Sequence, residues 1–381
     1  MNDSAGANHR PQLDALRCFA VFGVLITHFW DGTPFPWILA GVDLGFLGVR
    51  LFFVLSGFLI TRILLESRAA AEASATSQFH ALRQFYARRF LRIFPIYYLI
   101  VFAAIAIDLP PAREVGPWLL TYTSNFYEAF SQESTRSFGH FWTLAVEEQF
   151  YMAWPWLMLF APRRWLWAIT LAAVALAPLY RDLVFFRHVG MSGWDQLPFA
   201  SLDTLGVGAL LAMMFHHPAA SPGELFHTTR RMLLPLGLGA YLALHAFAFA
   251  TGGTRALYAF QEMAYAMICC WLIIGAERGF SGIGGRMLDL RPIVYLGRIS
   301  YGIYAYHMFV PWMLQKGMRW FGGGAIPERG PAKFVLATAV TVLLAMASWH
   351  FFEGPINRLK RYFPYRNRAK MPELSLVPAP Q

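Results

Sequence analysis

Long apolar runs broken by short polar stretches dominate this chain. Segments near 13–30, 44–66, 90–108, 140–160, 165–180, 200–216, 232–250, 256–275, 293–315 and 333–352 each have about the length needed to cross a bilayer as a helix. The pattern predicts an all-α polytopic membrane protein, a bundle of about ten transmembrane helices. The stretch "SRAAAEASATSQ" after the second run reads as a solvated linker or short polar helix, and the residues after Tyr365, ending "MPELSLVPAPQ", read as a disordered tail. The expected organisation is one transmembrane domain over 1–360 and a basic, then disordered, cytoplasmic tail over 361–381.

Charge placement orients the bundle. If the N-terminus is cytoplasmic, the inside loops carry about nineteen Lys and Arg residues and the outside loops about nine, with the densest clusters on one side. That bias supports an even number of spans with both termini in the cytoplasm. Composition agrees with a membrane class: 57% of the 381 residues are hydrophobic and 14% charged, against about 25% charged in a soluble protein. The net charge of +10 follows from the inside arginines and argues for no nucleic-acid partner. Cys18, Cys269 and Cys270 all fall in apolar runs, which gives neither a disulfide framework nor metal-ligand spacing. The first residues lack a signal-peptide pattern, so the first span is expected to be retained as the insertion signal.

Several spans nevertheless carry ionisable groups, which are costly in a bilayer and mark pairing or function. In "LDALRCFAVFGVLITHFW", Asp14, Arg17 and His28 fall on one helical face: Arg17 and His28 differ by about 20° and lie about 16 Å apart along the axis. "GVRLFFVLSGFLITRILL" holds Arg50, which needs a partner or must snorkel to the span's end, and Ser56-Gly57, which suit close helix packing. In "FYARRFLRIFPIYY", Arg88, Arg89 and Arg92 serve either as cytoplasmic anchors or as a grip for an anionic ligand such as nucleotide phosphates. "GHFWTLAVEEQFYMAWPWLMLF" places Glu147 and Glu148 inside a span, for function or for an ion pair with Arg17 or Arg50, and stacks Thr143, Glu147 and Tyr151 on one face. "YLGRISYGIYAYHMFV" lets Ser300, Tyr304 and His307 share a face, with His307 read as a packing residue or a catalyst. "WHFFEGPINRLKRY" sets Glu353 at the cytoplasmic boundary, capping its helix or pairing with Arg358.

Taken in order, "LDALR…H", "FFVLSGFLIT", "RRFLRIFP", "WTLAVEEQFY", "GRISYGIYAYH" and "FEGP" span nearly the whole chain. The series resembles the membrane-bound acyltransferase family 3, whose members O-acylate bacterial surface polysaccharides, peptidoglycan, Nod factors and some macrolides. The resemblance implies a roughly ten-helix bundle in a bacterial inner membrane, taking acetyl-CoA or another short acyl-CoA from the cytoplasm, with no metal. It implies transfer to a hydroxyl of a surface carbohydrate or its lipid-linked precursor, within membrane lipid. Its functional positions map onto Arg17 and His28, Arg89 and Arg92, Glu147 and Glu353. On this reading Arg88, Arg89 and Arg92 hold the phosphates of coenzyme A, Asp14 orients Arg17, Glu147 orients or balances the site, and His28 acts as general base or carries the acyl group. Arg50, Ser56, Tyr304 and His307 are further candidates. The soluble domain fused to some relatives is not in this sequence, so a periplasmic step would call on a separate transferase, or the acceptor would reach the membrane protein directly. The competing reading is a proton-coupled transporter using the same His, Glu and Arg residues, for which no internal repeat is found.

Overall fold

The structure is a computed structural model and describes residues 10–30, 43–74, 76–187, 191, 193–216, 224–320 and 330–365. The expected tail over 366–381 lies outside the described residues, as do Arg329, Arg366, Arg368 and Lys370 of the charge count. The described residues are helical, with no strand among them. The long helices are α1 (Pro11–Phe29), α2 (Leu44–Ala73), α3 (Gln78–Ala106), α4 (Phe141–Phe160), α5 (Arg163–Arg187), α6 (Leu202–His216), α7 (Glu224–Thr251) and α8 (Arg255–Arg278). Shorter ones follow, among them α9 (Arg291–Arg298), α10 (Ser300–Tyr306) and α11 (Val310–Trp320), and then α12 (Pro331–Ser348).

Eight helical segments among the described residues are long and apolar enough to cross a membrane. Of the ten expected spans, 140–160 forms α4, a continuous 20-residue helix that is not among the eight. The expected span over 293–315 is broken into α9, α10 and the start of α11. The break at His307 has a local contributor: Pro311 lacks an N–H and its ring crowds the carbonyl four residues back, which disfavours continuing the helix there, although Pro95, Pro155, Pro178 and Pro235 sit inside continuous helices. The outer surface of the bundle shows large apolar side chains, including Leu179, Phe249, Leu343 and Phe351, as expected where lipid is the solvent. The protein is a multi-pass membrane protein.

Two elements start earlier or run further than hydropathy indicated. α2 continues as far as Ala73 into the stretch read as a linker or short polar helix, reaching 30 residues, or about 45 Å at 1.5 Å per residue, well past a hydrocarbon core of about 30 Å. Asp43 starts it by accepting from the backbone N–H groups of Gly45 and Phe46. Arg68 docks its far end by donating to the carbonyls of Met158 and Ala161 at the end of α4. α3 begins at Gln78, capped by Ser77, so the basic cluster lies within a helix and not in a loop.

Packing at the centre depends on missing side chains. A Cβ on Gly57 of α2 would lie 1.9 Å from the carbonyl oxygen of Leu205, and one on Gly208 of α6 would lie 2.1 Å from that of Val54. The two helices therefore cross backbone to backbone, the small-residue packing expected at Gly57. α1 meets α9 in the same way, with Gly297 against the carbonyl of Asp14.

A buried ionic network ties the opposite side together. Arg50 Nη2 lies 2.6 Å from Glu262 Oε1, Glu262 Oε2 lies 3.5 Å from Arg181 Nη1, and Arg181 Nη2 lies 2.5 Å from Asp203 Oδ2. Two cations and two anions cancel, and the Arg50 guanidinium also sits 4.1 Å from the centre of the Phe46 ring. Arg50 therefore does not snorkel. Arg181 is itself buried in α5.

Candidate active site

A cavity of about 320 Å³ opens between α1, α2, α3, α4 and α10. Arg17, Arg88, Arg89, Arg92 and Lys360 line one end of it, and Ser56, Glu147, Tyr151, Thr143, Ser300 and Tyr304 line the rest. Thus Arg17, Ser56, the three arginines of α3, Glu147 and Tyr304 come together from five helices, and the face shared by Thr143, Glu147 and Tyr151 is the face of α4 that meets the cavity.

The cationic end is unbalanced. Among the described residues no carboxylate lies within 4.0 Å of Arg88, Arg89, Arg92 or Lys360, whereas Arg17 is paired with Asp14 at 2.6 Å. The three α3 arginines are held differently. Arg88 donates to the carbonyls of Lys360 (3.0 Å) and Phe363 (3.1 Å) and lies over the Tyr365 ring. Arg92 donates to the Arg298 carbonyl at 3.1 Å and lies over Trp349. Arg89 has its guanidinium 5.2 Å from the centre of the Tyr151 ring. Residues beyond 360 thus belong to the cavity wall as far as Tyr365, across the boundary expected at 360. Three guanidinium groups and the Lys360 amine, none of them in an ion pair although Glu353 acts on Arg92 and Glu147 on Arg89 at longer range, face one space and suit a polyanion.

Deeper in, Glu147 Oε1 accepts from Ser56 Oγ at 2.5 Å, and Ser56 Oγ accepts from the Tyr151 hydroxyl at 3.0 Å. Glu147 pairs with neither Arg17 nor Arg50. Its neighbour Glu148, buried one position on, contributes to a separate crevice between α3 and α4. Ser56 and Gly57, read together as packing residues, divide their roles: Gly57 meets α6 while Ser56 faces the cavity. At the far wall Thr143 Oγ1 and the Tyr304 hydroxyl are 2.6 Å apart, and the Tyr304 hydroxyl also donates to the His140 carbonyl.

Beyond Tyr304 stands a group of histidines. The ring of His307 is 5.4 Å from that of Tyr304, 4.7 Å from His140 and 5.1 Å from His28. His307 and His140 are buried, and His28 is exposed near the end of α1. His28, at the other end of α1 from Asp14 and Arg17, is not among the residues lining the cavity; it stands behind His307, whose ring neighbours Tyr304. Asp14 Oδ2 also lies 3.6 Å from Arg298 Nε.

Glu353 occupies a π-helical turn, Trp349–Glu353, that follows α12. Such turns re-aim one side chain, often at a functional site. Here the turn directs Glu353 inward: the side chain is buried, accepts from Ser348 Oγ at 3.1 Å, and lies against Gly302 of α10. It makes no ion pair with Arg358. Arg50 stays in the ionic network outside the cavity lining.

Sequence reasoning passed over His140 and Lys360. His140 stands three residues before Thr143 at the start of α4, a helical spacing that signals a common face. For Lys360, nothing local in the sequence distinguishes it from its basic neighbours. Among the described residues no group of three or more His, Cys, Asp or Glu side chains is arranged to hold a metal.

Helical spans around a cationic cavity, with a histidine cluster behind it, define a multi-pass membrane protein. The sequence pattern of the family described as "Acyltransferase domain" matches residues 10–350, and the chain belongs to that family. It is 28% identical to the Bacillus subtilis (strain 168) protein named "Putative peptidoglycan O-acetyltransferase YrhL", over 92% of this chain and 55% of that protein. It is 26% identical to "O-acetyltransferase OatA" of Staphylococcus aureus (strain NCTC 8325 / PS 47), over 91% of this chain and 57% of that one. It is also 24% identical to "Peptidoglycan O-acetyltransferase OatA" of Listeria monocytogenes serovar 1/2a (strain ATCC BAA-679 / EGD-e), over 96% and 60%. The chain thus spans somewhat more than half the length of these relatives. No solved structure matches it.

Proposed function

We propose that this protein is an O-acetyltransferase of a bacterial inner membrane that moves an acetyl group, or another short acyl group, from acyl-CoA to a hydroxyl of a peptidoglycan-type envelope polysaccharide. The acyltransferase family and the names of the three relatives support the reaction class and the carbohydrate acceptor. The observation that carries the donor is the cavity in which Arg88, Arg89, Arg92 and Lys360 face a space continuous with Ser56, Glu147 and Tyr304. On the topology expected from the positive-inside bias, with ten spans and both termini inside, that cationic end opens to the cytoplasm.

The chemistry follows the cavity's polarity. Arg89, Arg92 and Lys360 take the phosphates of coenzyme A at the mouth, with Arg88 holding the wall in place. Arg17, oriented by Asp14, and the Ser56–Glu147–Tyr151 chain flank the path of the acyl arm, which ends near Tyr304. His28 removes the proton of the acceptor hydroxyl as its oxygen attacks the thioester carbonyl. The carbon–sulfur bond then breaks, and the thiolate leaves with that proton. A positioned base of this kind contributes about 10²- to 10⁴-fold in rate.

The test is transfer of acetyl label from acetyl-CoA to cell-wall carbohydrate by membranes containing the protein. Wild type should label the polysaccharide, and His28→Ala, expressed to the same level, should not. Uptake of a solute driven by a pH gradient, with no covalent product, would replace this reading with transport.

A further inference from the structure

His307 sits where α10 ends, four residues before Pro311, and its hydrogen bonding defines its tautomer. Nδ1 lies 2.6 Å from the Tyr304 carbonyl oxygen. A carbonyl only accepts, so Nδ1 carries the proton, and in the neutral ring Nε2 is a bare lone pair. Nε2 is fully buried and has no hydrogen-bond partner. An unsatisfied buried acceptor is destabilising and calls for an explanation. Two histidine rings neighbour that of His307: buried His140, 4.7 Å away centre to centre with its Nε2 at the Ala305 carbonyl, and exposed His28, 5.1 Å away and tilted by 49°.

We infer that His307 is a positioning residue for His28: its Nε2, held free by the Tyr304 carbonyl, accepts the N–H of His28 and so presents the other His28 nitrogen, unprotonated, to the acceptor hydroxyl. At this separation, rotation of the exposed His28 ring brings one of its nitrogens within hydrogen-bond reach. Apo hydrogen bonds of catalytic groups commonly tighten only when substrate is bound. His307 itself, fully buried, never meets the acceptor. It does the work that a carboxylate or carbonyl does for many catalytic histidines, which is to set the tautomer and ring orientation. The proton budget is unchanged: the hydroxyl proton goes to His28 and leaves with the thiolate, and His307 keeps its own proton on Nδ1 throughout. The inference rests on the acyltransferase reading above and adds the residue that makes His28 a base.

Two substitutions separate this role from simple packing. His307→Asn keeps an N–H near Nδ1 for the Tyr304 carbonyl but nothing at Nε2. His307→Gln places an amide oxygen near Nε2 as a substitute acceptor. With acetyl-CoA as donor, His307→Asn should lower kcat about 100-fold with KM for acetyl-CoA within twofold of wild type. His307→Gln should recover at least tenfold of that loss. His28→Ala combined with His307→Asn should be no slower than His28→Ala alone, because a residue acting only through His28 has nothing left to act on. Equal kcat for the Asn and Gln variants, or losses that multiply in the double variant, would overturn the inference while leaving the acyltransferase intact. No transfer by the wild type overturns the acyltransferase reading, and the inference with it.

Discussion

Replacing Arg89 by alanine separates donor binding from architecture more cleanly than any other change in the cavity. Arg88 and Arg92 also donate to backbone carbonyls, and Arg17 neutralises Asp14, so removing any of these orphans a partner. Arg89 has no carboxylate within 4.0 Å among the described residues and rests on the ring of Tyr151. Its truncation therefore takes away one positive charge without orphaning a hydrogen-bonded or ion-paired partner. A hydrogen bond between a guanidinium and a phosphate contributes about 1.5–3 kcal/mol, and each 1.36 kcal/mol is tenfold. Arg89→Ala should accordingly raise KM for acetyl-CoA by about 10- to 150-fold, with kcat changed far less, because the phosphates lie remote from the reacting carbonyl. Initial rates of label transfer over a range of acetyl-CoA concentrations read both parameters. Added salt should raise KM of the wild type more than that of the variant, since one fewer screened charge remains. A KM within twofold of wild type would refute the assignment of this end of the cavity to the donor's phosphates. A fall in kcat at constant KM would place Arg89 at the chemistry instead.

Further outcomes follow from the packing. Gly57→Ala should lower the thermal midpoint in detergent, by the equivalent of about 1–3 kcal/mol, because its Cβ would strike the Leu205 carbonyl; Gly239→Ala, with nothing within 4 Å, should not, and equal midpoints would contradict the close crossing of α2 and α6. Glu262→Leu should destabilise by about 3–5 kcal/mol by stranding Arg50 in the bundle, and adding Arg50→Leu should restore part of it; a double variant no more stable than the single would show that the pair is not what Glu262 supports. Arg88→Ala should release the segment carrying Lys360 and Phe363, seen as faster tryptic cleavage at Lys360 and Arg361. Unchanged cleavage would mean that the two backbone contacts of Arg88 do not hold that segment.

Hydropathy alone made this a helical membrane protein, because a bilayer demands internal satisfaction of every backbone polar group and leaves an apolar length signature that needs no tertiary information. Spacing within one helix was equally legible. The Asp14–Arg17 pair and the shared face of Thr143, Glu147 and Tyr151 are consequences of 100° per residue, and the structure realises both. What sequence could not supply was the choice of partner between helices. Arg50 and Arg17 were equal claimants for Glu147 until packing sent Arg50 to Glu262, 212 residues away, and left Glu147 to Ser56. The same holds for the division between Ser56 and Gly57, for Lys360 reaching the arginine cluster, and for His140 and His307 meeting behind His28. Contacts of this kind depend on the crossing of helices distant in sequence, which the backbone approach at Gly57, Gly208 and Gly297 decides. Even where the end of α10 had a local contributor in Pro311, only the tertiary structure put the freed His307 ring beside His28.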